Sequence, residues 1–238
     1  MAKKELRNYN RRYAREYNFL RSSWYMFFLY VVAIPFFTIF YDYKITGQEN
    51  LPKERKDTKF IYAGNHVSIF DPFLIPFATK RLIAWMAKKE LFDPKEKFYD
   101  LIISLGAFAV DREKPEIATF KTVKDIFTTK WGLGVFPQGG TRPYGKLEGI
   151  KRGFGVIAKN AKADIIPVVI GNFSGYPDFK FPIKKQTFEL HVCKPISYKL
   201  PVDEIEYRWC EEISKHADYE NCYPKPERFA DEQEFVEA

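Results

Sequence analysis

The chain is 238 residues long, 46% hydrophobic and 29% charged, a composition with room for one sizeable core plus an appendage and unlike that of a disordered or fibrous chain. Its net charge of +7 would suit nucleic acid, yet there is no nucleic-acid motif and no basic face with regular aromatic interleaving, so anionic lipid and a phosphorylated substrate account for it better. Cys193, Cys210 and Cys222 are odd in number and spaced unlike metal ligands or a disulfide framework, which suits a reducing compartment and leaves no metal expected.

At the front, residues 1–21 carry seven bases against two acids. Leu6, Tyr9, Tyr13, Tyr17 and Leu20 recur at steps of three and four, which predicts a basic helix lying in an anionic interface. Residues 22–41 follow with no charge and nine aromatics. A run of twenty is long enough to span a bilayer, but Pro35 interrupts it, and Trp and Tyr favour the headgroup level. Lys44, Lys53, Arg55, Lys56 and Lys59 make the far flank positive as well, so a single span would leave one basic flank on the wrong side. A bent hairpin embedded in one leaflet is therefore favoured over a crossing. The run is too long for a cleaved signal peptide, lacks a small-x-small site after it, and exceeds the length usual for a buried core helix. Residues 1–45 are read as a membrane-embedded helical anchor.

From residue 46 to 223, short apolar runs alternate with helical ones, the pattern of an α/β layered sheet with flanking helices. Strands are expected at 59–63, 82–86, 107–111, 133–136, 165–170 and 186–193, and helices at 72–80, 96–104, 115–129, 149–161 and 203–217. An acidic tail, residues 224–238, closes the chain and is expected to be loosely held.

Chemistry-bearing residues sit just after these strands. In Gly64-Asn65-His66-Val67-Ser68-Ile69-Phe70-Asp71-Pro72, a strand runs into a helix whose expected N-cap is Asp71. His66 is fixed in the loop, and Asp71 can fold back to hold one ring nitrogen, leaving the other to take a proton from a hydroxyl. Alone, the pattern reads equally as a cap beside a polar loop residue. Past the third expected strand lies Asp111-Arg112, and past the fourth Pro137-Gln138-Gly139-Gly140-Thr141-Arg142. Small residues there let backbone N–H groups approach an anion, and Arg grips phosphate through paired hydrogen bonds. Singly these are turns and surface cations; ligands of open α/β sheets gather beyond strand carboxyl ends, where the loops can converge.

Taken together, these stretches resemble the PlsC-like glycerolipid acyltransferases, the family of the 1-acylglycerol-3-phosphate (lysophosphatidic acid) acyltransferases. The N-H-x4-D block is matched by Asn65, His66 and Asp71, the V-D-R block through Arg112, and the F-P-E-G-T-R block by Phe136, Pro137, Gly139, Thr141 and Arg142. Ile166, Pro167 and Val168 resemble the final I-P-V strand, and Ala87-Lys88-Lys89-Glu90-Leu91 the A-K-x-E-L element. Gln138 replaces the family's Glu, and an additional Gly precedes Thr141. The resemblance covers roughly residues 45–200. It implies a glycerol-phosphate acyltransferase-like fold and direct acyl transfer without an acyl-enzyme, with His66 as general base and Asp71 as its orienting partner. Lys88, Arg112, Gln138, Gly139, Gly140, Thr141 and Arg142 are then the substrate-binding set. It further implies acyl-CoA or acyl carrier protein thioester as donor, a lysophospholipid as acceptor, a phospholipid membrane as partner and no cofactor, at the cytoplasmic face of the cell membrane.

The altered third block keeps another lysolipid open as acceptor, such as a lyso-aminolipid. A non-catalytic lipid-binding protein would have no need of the His/Asp pair. A serine hydrolase would want G-x-S-x-G, which is absent, and Ser68 is read as a loop hydroxyl.

Overall fold

The structure is a computed structural model that describes residues 11–53, 59–111, 116–142, 145–147 and 149–227. The expected acidic tail from 228 onward, Arg112, and Leu6 and Tyr9 of the basic segment lie outside the described residues.

Nine strands are described: β1 (Tyr41–Thr46), β2 (Phe60–Gly64), β3 (Ile83–Lys88), β4 (Phe108–Val110), β5 (Gly132–Val135), β6 (Lys146–Leu147), β7 (Asp164–Gly171), β8 (Gln186–Val192) and β9 (Glu220–Asn221). Helices are α1 (Phe19–Phe27), α2 (Ile34–Phe40), α3 (Asp71–Thr79), α4 (Tyr99–Ser104), α5 (Ile117–Ile126), α6 (Gly153–Ala161) and α7 (Val202–His216). Seven strands form one sheet in the order β1-β8-β7-β2-β5-β3-β4, parallel throughout except where β7 meets β8. Alternation along the strands splits the core between the two faces. Ile61 and Ala63 of β2 pack with Val123 of α5, Phe154 of α6 and Trp209 of α7, while Tyr62 packs with Leu74 and Ile75 of α3. Both faces are covered, which is why β7 reads as an unbroken apolar run.

Each expected strand and helix of the body is present, with shifted ends. α4 starts at Tyr99 because Asp93 turns the chain first, its side chain accepting from the Lys95 N–H at 2.9 Å. α6 starts at Gly153 because the Lys151 N–H is held by the Pro137 carbonyl at 2.9 Å. Strand β1 was not expected: its Tyr, Lys and Thr follow the apolar run and read as its flank, yet it pairs along its length with β8 and crosses residue 45, the expected limit of the anchor.

The front of the chain differs most from expectation. No fold-back occurs at Pro35; α1, a π-helical segment Phe28–Ala33 and α2 make one continuous helical run. Pro35 sits in the first turn of α2, where its missing N–H is tolerated, and the wide π turn before it absorbs the strain. Among the described residues this run, Phe19–Phe40, is the one helix long and apolar enough to cross a membrane, with mean hydropathy 1.8. One face of it belongs to the core: Tyr25, Leu29, Ala33 and Phe37 recur every fourth residue and are buried. Phe19, Leu20, Phe27, Val31 and Ile39 face outward and are exposed.

The basic segment ahead of it is not a continuous helix where it is described, but a single 3₁₀ turn, Ala14–Glu16, and an Asn18 cap whose side chain accepts from Arg21 N–H at 3.0 Å. Three of its described cations are turned inward, while Arg15 is exposed. Arg12 is buried and donates to the carbonyls of Ile103 and Ala107 and to Glu16, Arg11 pairs with Asp125 at 2.6 Å, and Arg21 donates to Ser104 O at 3.0 Å. A buried guanidinium is tolerated only with its donors satisfied, and these bonds cap the C-terminal end of α4.

Candidate functional site

β2 ends at Gly64, where an added Cβ would lie 2.5 Å from the Ile75 side chain and 3.2 Å from the Val168 carbonyl; only glycine lets α3 approach this closely. Next, the buried Asn65 side chain imitates a strand residue. Its amide donates to Ile170 O at 2.8 Å and its oxygen accepts from Ile170 N–H at 2.7 Å, tying the departing loop to β7.

The loop then turns on Asp71. Its Oδ2 accepts from Val67 N–H at 2.6 Å, from Ser68 N–H at 2.8 Å and meets His66 Nδ1 at 2.6 Å. Asp71 is not the N-cap, as expected, but the first residue of α3, with Phe70 as cap; its carboxylate serves the loop amides instead of the helix's own. Residing in the first turn, it still gains from the helix dipole. Asp71 is fully buried, and Oδ1 has no hydrogen-bond partner among the described residues. Burial pushes its carboxyl up from the ordinary value, while His66 and the Ser68 and Val67 amides pull it back.

The His66 ring, 14% exposed, stacks on Phe136 at 4.1 Å, and Phe136 on Trp85 at 4.6 Å. This ring stack ties the carboxyl ends of β2 and β5 to the middle of β3. With Nδ1 held by Asp71, Nε2 is the nitrogen left to act as base.

The Gly-rich turn after β5 holds the same loop from the other side. Gln138 is buried at 1% exposure, and its Oε1 accepts the His66 backbone N–H at 2.7 Å. Its Nε2 is buried with no partner among the described residues. Gln138 therefore positions the His66 main chain, so the Glu-to-Gln departure bears directly on the His loop. Gly139 takes φ 68° and donates to Phe136 O at 2.9 Å, closing the turn with the N–H that an oxyanion would otherwise use. Gly140 is half-buried, Thr141 and Arg142 are exposed, and Arg142 N–H donates to His66 O at 2.8 Å. That bond fixes the Arg142 main chain beside the histidine loop. Lys88 is exposed at the end of β3, two strands from β2 in the sheet. Its neighbour Lys89 pairs with Asp111 at 2.9 Å.

Two features escaped the sequence. Lys151 packs its stem against Gly139, adding a cation at the same turn; a Lys-Arg pair before a helix was its only signal. An apolar pocket of about 210 Å³ opens beside Phe136, lined by Met86, Val110, Phe120, Phe154 and Ile157 among others. A second, of about 100 Å³, lies between α3 and the front helix, around Leu29, Phe73 and Trp85, and its lining is wholly apolar. Nearby cations and apolar pockets that reach Phe136, on which His66 stacks, and Phe73, two residues past Asp71, suit proton abstraction from an anionic amphiphile.

A family model described as Acyltransferase matches residues 42–171, and the chain belongs to that family. It is 32% identical over 143 residues to a 1-acyl-sn-glycerol-3-phosphate acyltransferase of Streptococcus pneumoniae, a match covering 59% of this chain and 51% of that protein. With the protein of the same name from Bacillus subtilis it shares 31% identity over 158 residues, covering 64% and 73%. It thus spans about half the length of the first of these relatives. The crystal structure of the 1-acyl-sn-glycerophosphate (LPA) acyltransferase PlsC from Thermotoga maritima has the same fold, with a TM-score of 0.63, 22% identity and 84% and 85% coverage.

Proposed function

We propose that the chain transfers a fatty acyl group from an acyl thioester to the 2-hydroxyl of 1-acylglycerol-3-phosphate, giving phosphatidic acid. The observation that carries this reading is the 2.6 Å contact between His66 Nδ1 and a buried Asp71 oxygen in a chain of this family. His66 Nε2 accepts the hydroxyl proton as the oxygen attacks the thioester carbonyl. The C–S bond then breaks, and the imidazolium returns the proton to the departing thiolate. Asp71 holds the tautomer, and its unpartnered oxygen leaves carboxylate charge to stabilise the imidazolium. Arg142 and Lys151 favour a phosphate-bearing acceptor, with Lys88 and Arg112 as further cations, and the apolar pockets favour acyl chains. The exposed face of Phe19–Phe40 supports attachment to one leaflet, and thioester supply places the body on the cytoplasmic side.

The test is the purified chain with labelled acyl-CoA or acyl carrier protein thioester and a panel of lysolipids, lyso-aminolipids included. Lysophosphatidate is the expected acceptor; a preference for another lysolipid overturns the substrate. Within that assay, Arg142→Ala is expected to raise KM for lysophosphatidate about tenfold and leave KM for the thioester unchanged, since one charge-assisted hydrogen bond is lost at an exposed site. Equal effects on both would make Arg142 structural.

A pH profile adds a second check. The base form needs a neutral imidazole beside an ionised Asp71, so kcat/KM should fall as pH decreases and the pair takes up a proton. Because burial raises Asp71, that loss begins at higher pH than for an exposed carboxylate. A rate independent of pH on the acid side contradicts the mechanism.

A further inference from the structure

We propose that His191, Cys193 and His216, with Glu212 as fourth donor, form a binding site for a zinc-class transition-metal ion that ties the end of α7 to β8. His191 and Cys193 stand two residues apart on β8 and its extension, so strand alternation turns both toward α7. Glu212 and His216 stand one turn apart on α7 and share a face of it. The donor atoms of His191, Cys193 and His216 all lie within 4.8 Å of one another. Zinc bonds of about 2.0–2.1 Å to nitrogen and about 2.3 Å to sulfur place tetrahedral donors roughly 3.5 Å apart, so closure draws the donors in by about 1 Å and turns one imidazole out of its stack on the other.

The surroundings match such a site in three respects. Thr46 Oγ1 lies 2.8 Å from His191 Nδ1, which orients the ring and leaves Nε2 to coordinate, as outer partners of metal-bound histidines do. Glu212 accepts from the Cys193 thiol and lies 3.7 Å from His216 Nε2, reaching both. A polar cavity of about 180 Å³, lined by Thr46, Glu189, His191 and His216, opens the cluster to solvent. Lys44 on that cavity and Lys215 nearby oppose a cation, and Glu189, Glu212 and Glu49 offset them. Face-to-face packing of the two rings, 3.8 Å apart, is the competing account of the histidines. It gives no role to the thiol. No metal was expected from the sequence because two of the donors are histidines 25 positions apart, and the cysteine spacing alone is silent.

The experiment uses the full chain, stripped with chelator and titrated with Co²⁺ while visible and near-ultraviolet absorption are recorded. One equivalent is expected to give tetrahedral d–d bands and a thiolate-to-cobalt charge-transfer band, both abolished by Zn²⁺. Cys193→Ser is expected to lose the charge-transfer band, and His216→Ala, at a half-buried position that leaves the core intact, to lose tight binding. Thr46→Val should weaken binding about 10- to 100-fold. Cys222→Ser should behave as the unsubstituted chain. No charge-transfer band in folded, stripped protein, or an identical titration in His216→Ala with an unchanged circular-dichroism spectrum, overturns the site.

Discussion

His66→Ala is expected to lower turnover by about 10²–10⁴-fold while the protein stays folded, because the general base is removed without disturbing its scaffold. The main-chain ties of residue 66, Gln138 Oε1 to its N–H and Arg142 N–H to its carbonyl, do not involve the ring. Asp71→Asn is the more informative companion. An amide oxygen at position 71 can still accept from Val67 and Ser68, so the loop is kept. That same oxygen is the atom that meets His66 Nδ1, so the tautomer is kept too, and the expected loss of turnover comes from removing the carboxylate charge that stabilises the imidazolium and from burying an NH2 at the Oδ1 position, which has no partner among the described residues. Kinetics with purified lysophosphatidate and acyl-CoA, alongside circular dichroism, decide it. Near wild-type turnover in His66→Ala would exclude the mechanism.

What the sequence disclosed follows from range along the chain. The His66–Asp71 contact was legible because its partners are five residues apart in one strand-to-helix loop. Strands β2, β5 and β7 were legible because strands buried on both faces read as apolar runs, and β8 because Phe188, Leu190 and Val192 alternate with more exposed positions. Pairings across elements were not. The reach of the Gln138 side chain to a backbone N–H 72 residues away was one of them, because nothing local shows it. Arg12, set among other bases, reads as one more solvated charge, whereas its satisfied donors make it part of the core. Strand β1 was hidden for a related reason: its pairing with β8 is long-range, and its composition continues the flank of an apolar helix.

Removing residues 1–41 is expected to abolish folding, although the sequence reads residues 1–45 as a membrane anchor ahead of the α/β body. The deletion takes away Tyr25, Leu29, Ala33 and Phe37, all at 5% exposure or less, together with Arg12 and the first residue of β1. A single large-to-small change in a core costs about 2–5 kcal/mol, and a whole domain holds only about 5–15 kcal/mol, so several such losses exceed the reserve. The surface proposed for anchoring is the opposite face, where Phe19 is 82% and Leu20 77% exposed, along with Phe27, Val31 and Ile39. Replacing those five with Ser removes apolar surface that the core does not use. It should therefore move the protein from the membrane pellet to the supernatant in vesicle sedimentation, with little change in melting temperature. Activity should then fall more on bilayer-embedded than on detergent-dispersed lysolipid, because only delivery is impaired. Both ends of the helix contact the same body, through Arg21 on Ser104 at one end and β1 on β8 at the other, which favours one-sided attachment. An impermeant thiol reagent on sealed inverted vesicles tests it, with single cysteines at Tyr13 and Lys225 in a background lacking Cys193, Cys210 and Cys222. Labelling at both positions is the expected result. Protection of one of them, reversed in right-side-out vesicles, would mean that the helix crosses the bilayer.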